Sequence, residues 1–331
     1  MPMMAVLRSS MRVFAALLLF RELVADSSAQ NYPTRPIRIV VGTSAGGGGD
    51  VIARIVASGL TPVFGQQVAV DNRPGAASNI AAEIVAKAPP DGYTLFEVSI
   101  THAVNVSLYR NLPFDLMRDF AAVTQLANSP QIIVVHPSLP VRSTDELVRL
   151  AKARPGAINY SSAGAGTSTF LAAELFKARA GVNLVHVPYR GGGAALTAVI
   201  AGETPVFFAP VASSLPQIRA GRLRALALTS AQRMSLLPGL PTVAEAGYPG
   251  YECGNWYGLM VPVKTPQETQ AVLHRAVLAT LKQSEVNQRL VELGYIVVGD
   301  QPSEFAAYIR SEMEKLAKTV KTLNLKADAS D

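Results

Sequence analysis

Residues 43–50 read TSAGGGGD, two hydroxyls and four consecutive glycines ahead of a carboxylate. Glycines let a backbone approach a ligand closely. The free N–H groups of a helix that starts there, with the positive end of its dipole, favour an anion. The stretch therefore suggests a site for a phosphate or a carboxylate. Three further stretches resemble it: SSAGAGTS at 161–168, YRGGG at 189–193 and THAVN at 101–105. Each follows an apolar run and offers N–H groups or small hydroxyls that suit carboxylate oxygens. Any one of them reads more simply as a strand-to-helix turn that needs glycine. Four together point to a binding cleft.

Gly42-Thr43-Ser44-Ala45-Gly46 also matches the G-x-S-x-G nucleophile elbow. Acyl transfer would need a histidine and an acid acting on Ser44. The later histidines are His102, His136, His186 and His274. His136 precedes a proline, His186 lies in the apolar run LVHVP and His274 sits in a helical pattern, so these three read as structural. No HGGG segment precedes the elbow, and a serine hydrolase is the remote alternative. G-x-x-x-x-G-K-[ST], G-x-G-x-x-G and H-E-x-x-H are absent from the chain. Asp50, in the first turn of a helix, reads as a cap or loop anchor. No catalytic residue, metal or cofactor is expected.

Apolar periodicity sets out the elements that must position these loops. Residues 37–41 are rich in β-branched side chains and read as a buried strand, and Val51, Ile52, Ile55, Val56 and Leu60 recur at helical spacing behind it. Further strands are expected at 68–71, 93–98, 131–135, 158–161, 184–187, 206–209, 223–228 and 256–261. Helices lie between most of them, and two longer ones are expected at 266–284 and 302–323. This alternation predicts α/β layers with mainly parallel sheets. There is no flexible linker, so the chain is expected to pass between two domains more than once, near 125–131 and 249–257. In an open α/β sheet ligands sit beyond the carboxyl ends of the strands, where all four loops fall.

The chain has 331 residues, a length that suits two domains. Arg8, Arg12, the apolar run at 13–20 and Ser27-Ser28-Ala29 read as a signal peptide over 1–29. Its removal leaves 27 Lys and Arg against 22 Asp and Glu, a net +5. That excess suits an anionic small molecule and suits solubility equally well. Basic runs interleaved with aromatics are missing, which argues against nucleic acid. Cys253 is the one cysteine, so neither an internal disulfide nor a cysteine metal site is possible.

Eight segments in order then resemble the Bug-type solute-binding receptors of the tripartite tricarboxylate transporter family. They are Tyr32-Pro33-x-Arg35-Pro36-Ile37-Arg38, Ala45-Gly46-Gly47-Gly48-x-Asp50, Asn72-Arg73-Pro74-Gly75-Ala76 and Pro90-Asp91-Gly92-Tyr93-Thr94-Leu95. The others are Thr101-His102-Ala103-x-Asn105, Val185-His186-Val187-Pro188-Tyr189-Arg190-Gly191, Pro241-Thr242-Val243-Ala244-Glu245-Ala246-Gly247 and Trp256-Tyr257-Gly258-Leu259. The resemblance implies a periplasmic, two-lobed binding protein of type II-like α/β fold with two hinge crossings. Domain 1 would comprise 30–128 plus 254–331 and domain 2 would comprise 129–253. It implies a small organic carboxylate bound between the lobes and delivered to membrane permease subunits by a monomer, with a ligand-loaded sensor as the alternative. First-lobe contacts would come from Thr43, Ser44, Ala45, Gly46, Gly47 and Asp50, joined by Thr101, His102 and Asn105. The second lobe would add Ala163, Gly164, Thr167 and Ser168, with Arg190, Gly191 and Gly192 nearby. Relatives commonly carry Pro-Phe at Gly42-Thr43, a threonine at Gly49 and an aspartate at Ala209 in this last lobe. In amino-acid-binding members that aspartate can face the ligand ammonium, so Ala209 implies a ligand without one.

Overall fold

The computed structural model describes residues 32–326. The signal-peptide reading over 1–29 lies outside them. The chain alternates strands and helices through β1 (Ile37–Val41), α1 (Gly48–Phe64), β2 (Val68–Asn72), α2 (Asn79–Ala86), β3 (Thr94–Ser99), α3 (Ile100–Leu108) and β4 (Phe120–Val135). It continues through α4 (Thr144–Ala153), β5 (Ile158–Ser162), α5 (Ser168–Ala180), β6 (Leu184–Pro188), α6 (Gly192–Ile200), β7 (Val206–Pro210), α7 (Val211–Arg219) and β8 (Arg224–Leu228). It closes with β9 (Gly254–Pro262), α8 (Gln267–Lys282), α9 (Ser284–Glu292), β10 (Ile296–Val297) and α10 (Pro302–Thr322).

The strands run in the order β2-β1-β3-β9-β4-β7-β5-β6, with β8 and β10 also paired to β4. Residues 120–130 of β4 pair with β9, and residues 131–135 pair with β7 and β8. One strand therefore serves both halves of the molecule, and β9 begins beside the point of passage, where Gly254 faces Pro130. The expectation of mainly parallel sheets is corrected here. The outer pairs β1–β2, β1–β3, β5–β6 and β5–β7 are parallel, whereas all pairings of β4 and β9 are antiparallel. Strands linked by crossover helices run the same way; β4 and β9 carry the chain between halves in opposite directions.

Burial follows the apolar periodicity. Ile52, Ile55, Val56 and Leu60 of α1 pack with Ile39, Val41, Leu95 and Val277 in the first half. Leu196 and Val199 of α6 pack with Phe207, Leu215 and Leu228 in the second. A third cluster joins α3 and α10 to the α5 side of the second half through Val104, Ile309, Phe170 and Phe176. Among the described residues no helix is long and apolar enough to cross a membrane.

Candidate ligand-binding cleft

The ends of β1, β3 and β5 and the starts of α1, α5 and α6 border a cleft of about 680 Å3 between the two halves. Of the sequence-expected residues, Thr43, Thr101, Ala163, Gly164, Thr167, Ser168, Arg190, Gly191 and Gly192 line it. Arg190 is exposed and is the one charged side chain of the lining among the described residues. Gly192 opens α6 and Gly48, a further lining residue, opens α1, where first-turn N–H groups have no intrahelical acceptor. The lining thus combines hydroxyls, helix starts and one positive charge, an arrangement that receives an anion.

The remaining expected residues stand around the lining. Asp50 is buried and holds the glycine loop: its Oδ2 accepts from Gly46 N (2.9 Å), and its Oδ1 accepts from Asn72 Nδ2 (2.9 Å) and meets Arg54 Nε (2.8 Å). Asp50 N donates to Thr43 Oγ1 (3.2 Å). Gly47 N turns back to Ser44 O (3.0 Å). Several amides expected to meet the ligand are therefore engaged within the protein, including Ala163 N with Thr169 Oγ1 and Gly164 N with Ser162 Oγ (both 3.0 Å). Ala209 is fully buried in β7, opposite Ile132 of β4, and the cleft is reached by the next residue, Pro210.

The glycines have a packing reason as well. A methyl group at Gly48 would sit 2.2 Å from Tyr257 Oη, and one at Gly49 would sit 2.9 Å from Glu97 Oε2. Both side chains support the first turn of α1, and neither was among the sequence-expected residues. Glu97 is buried on β3 with Oε1 unpartnered, and burial, then the nearby charge of Asp50, push its carboxyl up to about 8. Burial, then Glu97, also raises the Tyr257 phenol.

The halves touch across the cleft. Gly193 N donates to Ser44 Oγ (3.1 Å), and Ser168 N donates to Thr101 Oγ1 (3.2 Å). Ala45 lies against the start of α6, since a methyl group at Gly193 would meet Ala45 O at 2.2 Å. Asn105 lies against Gly166 in the same way, at 2.3 Å from such a group. These contacts describe a closed arrangement.

His102 is buried, and its Nδ1 accepts from Ser99 N (3.1 Å) in a capping box that starts α3. Burial pushes its pKa down to about 4, so the ring is neutral. Ser44 Oγ takes its hydrogen bond from a backbone amide, while His136, His186 and His274 bond to Ser138, Ser162 and the Asp300 carbonyl. The elbow match is a loop resting on the opposite half.

The turn at 75–78 is the largest part of the lining that sequence reasoning missed. Gly75, Ala76, Ala77 and Ser78 have φ of 125°, 43°, 46° and 72°. Left-handed backbone costs a non-glycine residue roughly 1–2 kcal/mol, and such strain concentrates at ligand clamps. The turn is braced by Asn105, whose Nδ2 donates to Ala77 O (2.9 Å) and Asn79 Oδ1 (2.8 Å), and by Ser78, whose Oγ donates to Gly42 O (3.0 Å). Gly42 is required there, because a methyl group on it would lie 2.3 Å from Ser78 Cβ.

Two lobes with a polar cleft between them define a solute-binding protein of the α/β periplasmic type. Comparison narrows the class: residues 52–325 match the tripartite tricarboxylate transporter family receptor, and the chain belongs to that family. The protein encoded in the tcbD-tcbE intergenic region of Pseudomonas sp. strain P51 is 38% identical over 90% of this chain and 89% of its own length. BugT of Bordetella pertussis is 33% identical over 92% and 94%. The structure of Rpa4515 of R. palustris with adipate is 36% identical, with a TM-score of 0.87 over 89% of this chain and 99% of that one.

Proposed function

We propose that this chain is an extracytoplasmic receptor that captures a small organic carboxylate between its lobes and presents it, as a monomer, to the permease subunits of a tripartite transporter. The observation that carries the reading is the cleft itself, in which Arg190 is joined by the starts of α1 and α6 and by the hydroxyls of Thr43, Thr101, Thr167 and Ser168. The similar Rpa4515 was solved with adipate, a small organic carboxylate, which supports the same chemistry. The receptor performs no catalysis; Ser44 serves closure through Gly193. The lobes are 30–128 plus 254–331 and 129–253, and the passage of β4 from one sheet to the other supports that division.

Ligand contact belongs to the lining residues, with Ser44, Ala45 and Asn105 acting in closure and Gly46, Gly47, Asp50 and His102 shaping the loops. The ligand carries no ammonium group, because Ala209 and its neighbours supply no carboxylate to meet one. A thermal-shift screen tests the reading. A carboxylate at 100 times its dissociation constant adds about 2.7 kcal/mol of stability. Simple di- or monocarboxylates raise the melting temperature and their α-amino counterparts do not. A screen in which only amino acids, or no carboxylates at all, stabilise the protein contradicts it.

A further inference from the structure

Glu97 lies one layer behind the main cleft. Gly48 borders the cleft at the start of α1, and the next residue, Gly49, leaves room for the Glu97 carboxyl, whose Oε2 would be 2.9 Å from a methyl group placed there. The carboxyl therefore stands against the turn whose N–H groups favour an anion. Glu97 is 1% exposed, and its Oε1 has no hydrogen-bond partner. Its neighbours in register are apolar, Val41 on β1 and Leu259 on β9. Two phenols face it, Tyr257 of β9 and Tyr295 just before β10, and burial raises both, so they keep their protons. Tyr295 Oη donates to Gly48 O (2.7 Å). From α1 comes the negative charge of Asp50, which engages Arg54, the cation of that helix, at 2.8 Å.

This cluster allows two charge states. A neutral Glu97 leaves the positive end of α1 free to attract an anion. An ionised Glu97 puts a second negative charge beside Asp50, behind the same turn, and opposes an arriving carboxylate through an interior that screens charge poorly. We propose that this receptor takes up a proton together with its carboxylate, and that Glu97 holds the proton. The inference rests on the carboxylate reading above and adds a coupled ion to it. Burial, then Asp50, push the free carboxyl up to about 8, which sets the range in which the coupling acts. By reciprocity, a bound anion raises that value further by the factor through which protonation strengthens binding. Affinity is therefore full below this range and falls as pH rises through it. His102, pushed down to about 4, stays neutral there and does not contribute.

Isothermal titration at several pH values tests the proposal. Adipate, the carboxylate with which Rpa4515 was solved, is the first probe, and the best carboxylate of the thermal screen replaces it should adipate not bind. The parent is expected to bind about tenfold more weakly at pH 9 than at pH 7. Titrations at pH 9 in two buffers of different ionisation enthalpy should show about one proton taken up per carboxylate, and almost none at pH 7. This readout needs no variant. Glu97→Gln, of the same shape and permanently neutral, should flatten the pH profile to within about twofold and abolish the uptake. Carboxylate binding with the same affinity at both pH values, binding without proton uptake at pH 9, or a Glu97→Gln protein that keeps the parental profile would overturn the proposal and leave the carboxylate reading standing. Failure of every carboxylate to bind would overturn both.

Discussion

Glu97 and His102 are buried groups whose titrations oppose each other. A carboxyl held near 8 in the folded chain and near its ordinary 4.5 in the unfolded one keeps its proton longer in the native state. Stability therefore falls as pH rises through that window, by about 1.4 kcal/mol per unit at full effect. Glu97→Gln removes the slope. The variant is expected to be more stable than the parent near pH 8, with the difference vanishing towards pH 4.5, when denaturation midpoints are compared across that range. His102 acts at the other end. Its folded pKa lies near 4 against an ordinary 6.5, so its contribution is present above 6.5 and lost as pH falls from there to 4. Glu97 was illegible in the sequence because it sits within an otherwise apolar strand, TLFEVS, that reads only as core. His102 stood in a recognisable motif, but its task in the capping box depends on the Ser99 backbone.

At the scale of elements, the turn at 75–78 is maintained against its own backbone preference. Ala77→Gly relieves one left-handed residue and is expected to stabilise the ligand-free protein by about 1 kcal/mol. Asn105→Ala removes two hydrogen bonds from buried acceptors, Ala77 O and Asn79 Oδ1, and is expected to cost about 1–3 kcal/mol. Chemical denaturation of the two variants measures both signs. Residue types alone did not reveal this turn, since alanine and serine rarely adopt positive φ and only Asn105, distant in sequence, compensates. The β1 and β7 strands were legible because their runs of Val, Ile and Phe are almost wholly buried. The first eleven residues of β4, FAAVTQLANSP, were not: small and polar side chains mark the passage between halves, where both sheets shape the strand. The glycine loop was legible as a special backbone, yet Gly48 and Gly49 owe their identity partly to Tyr257 and Glu97, partners from strands far along the chain.

The whole molecule works as two bodies that meet on a guest. Ser44–Gly193 and Thr101–Ser168 join the lobes directly, and each contact requires close approach of backbone. Scattering is therefore expected to report a smaller radius of gyration when ligand is added, because closure draws the lobes together. Gly193→Ala isolates closure from folding. Its added methyl would meet Ala45 O across the cleft at 2.2 Å, while Gly193 itself has no positive φ to protect. The ligand-free variant should keep the parental melting temperature. An organic anion is enclosed between these lobes, and isothermal titration of the best carboxylate from the thermal screen measures that enclosure. Saturable binding to the parent is expected, with at least about tenfold weaker binding, roughly 1.4 kcal/mol, to Gly193→Ala. Equal affinity in the two proteins would contradict it.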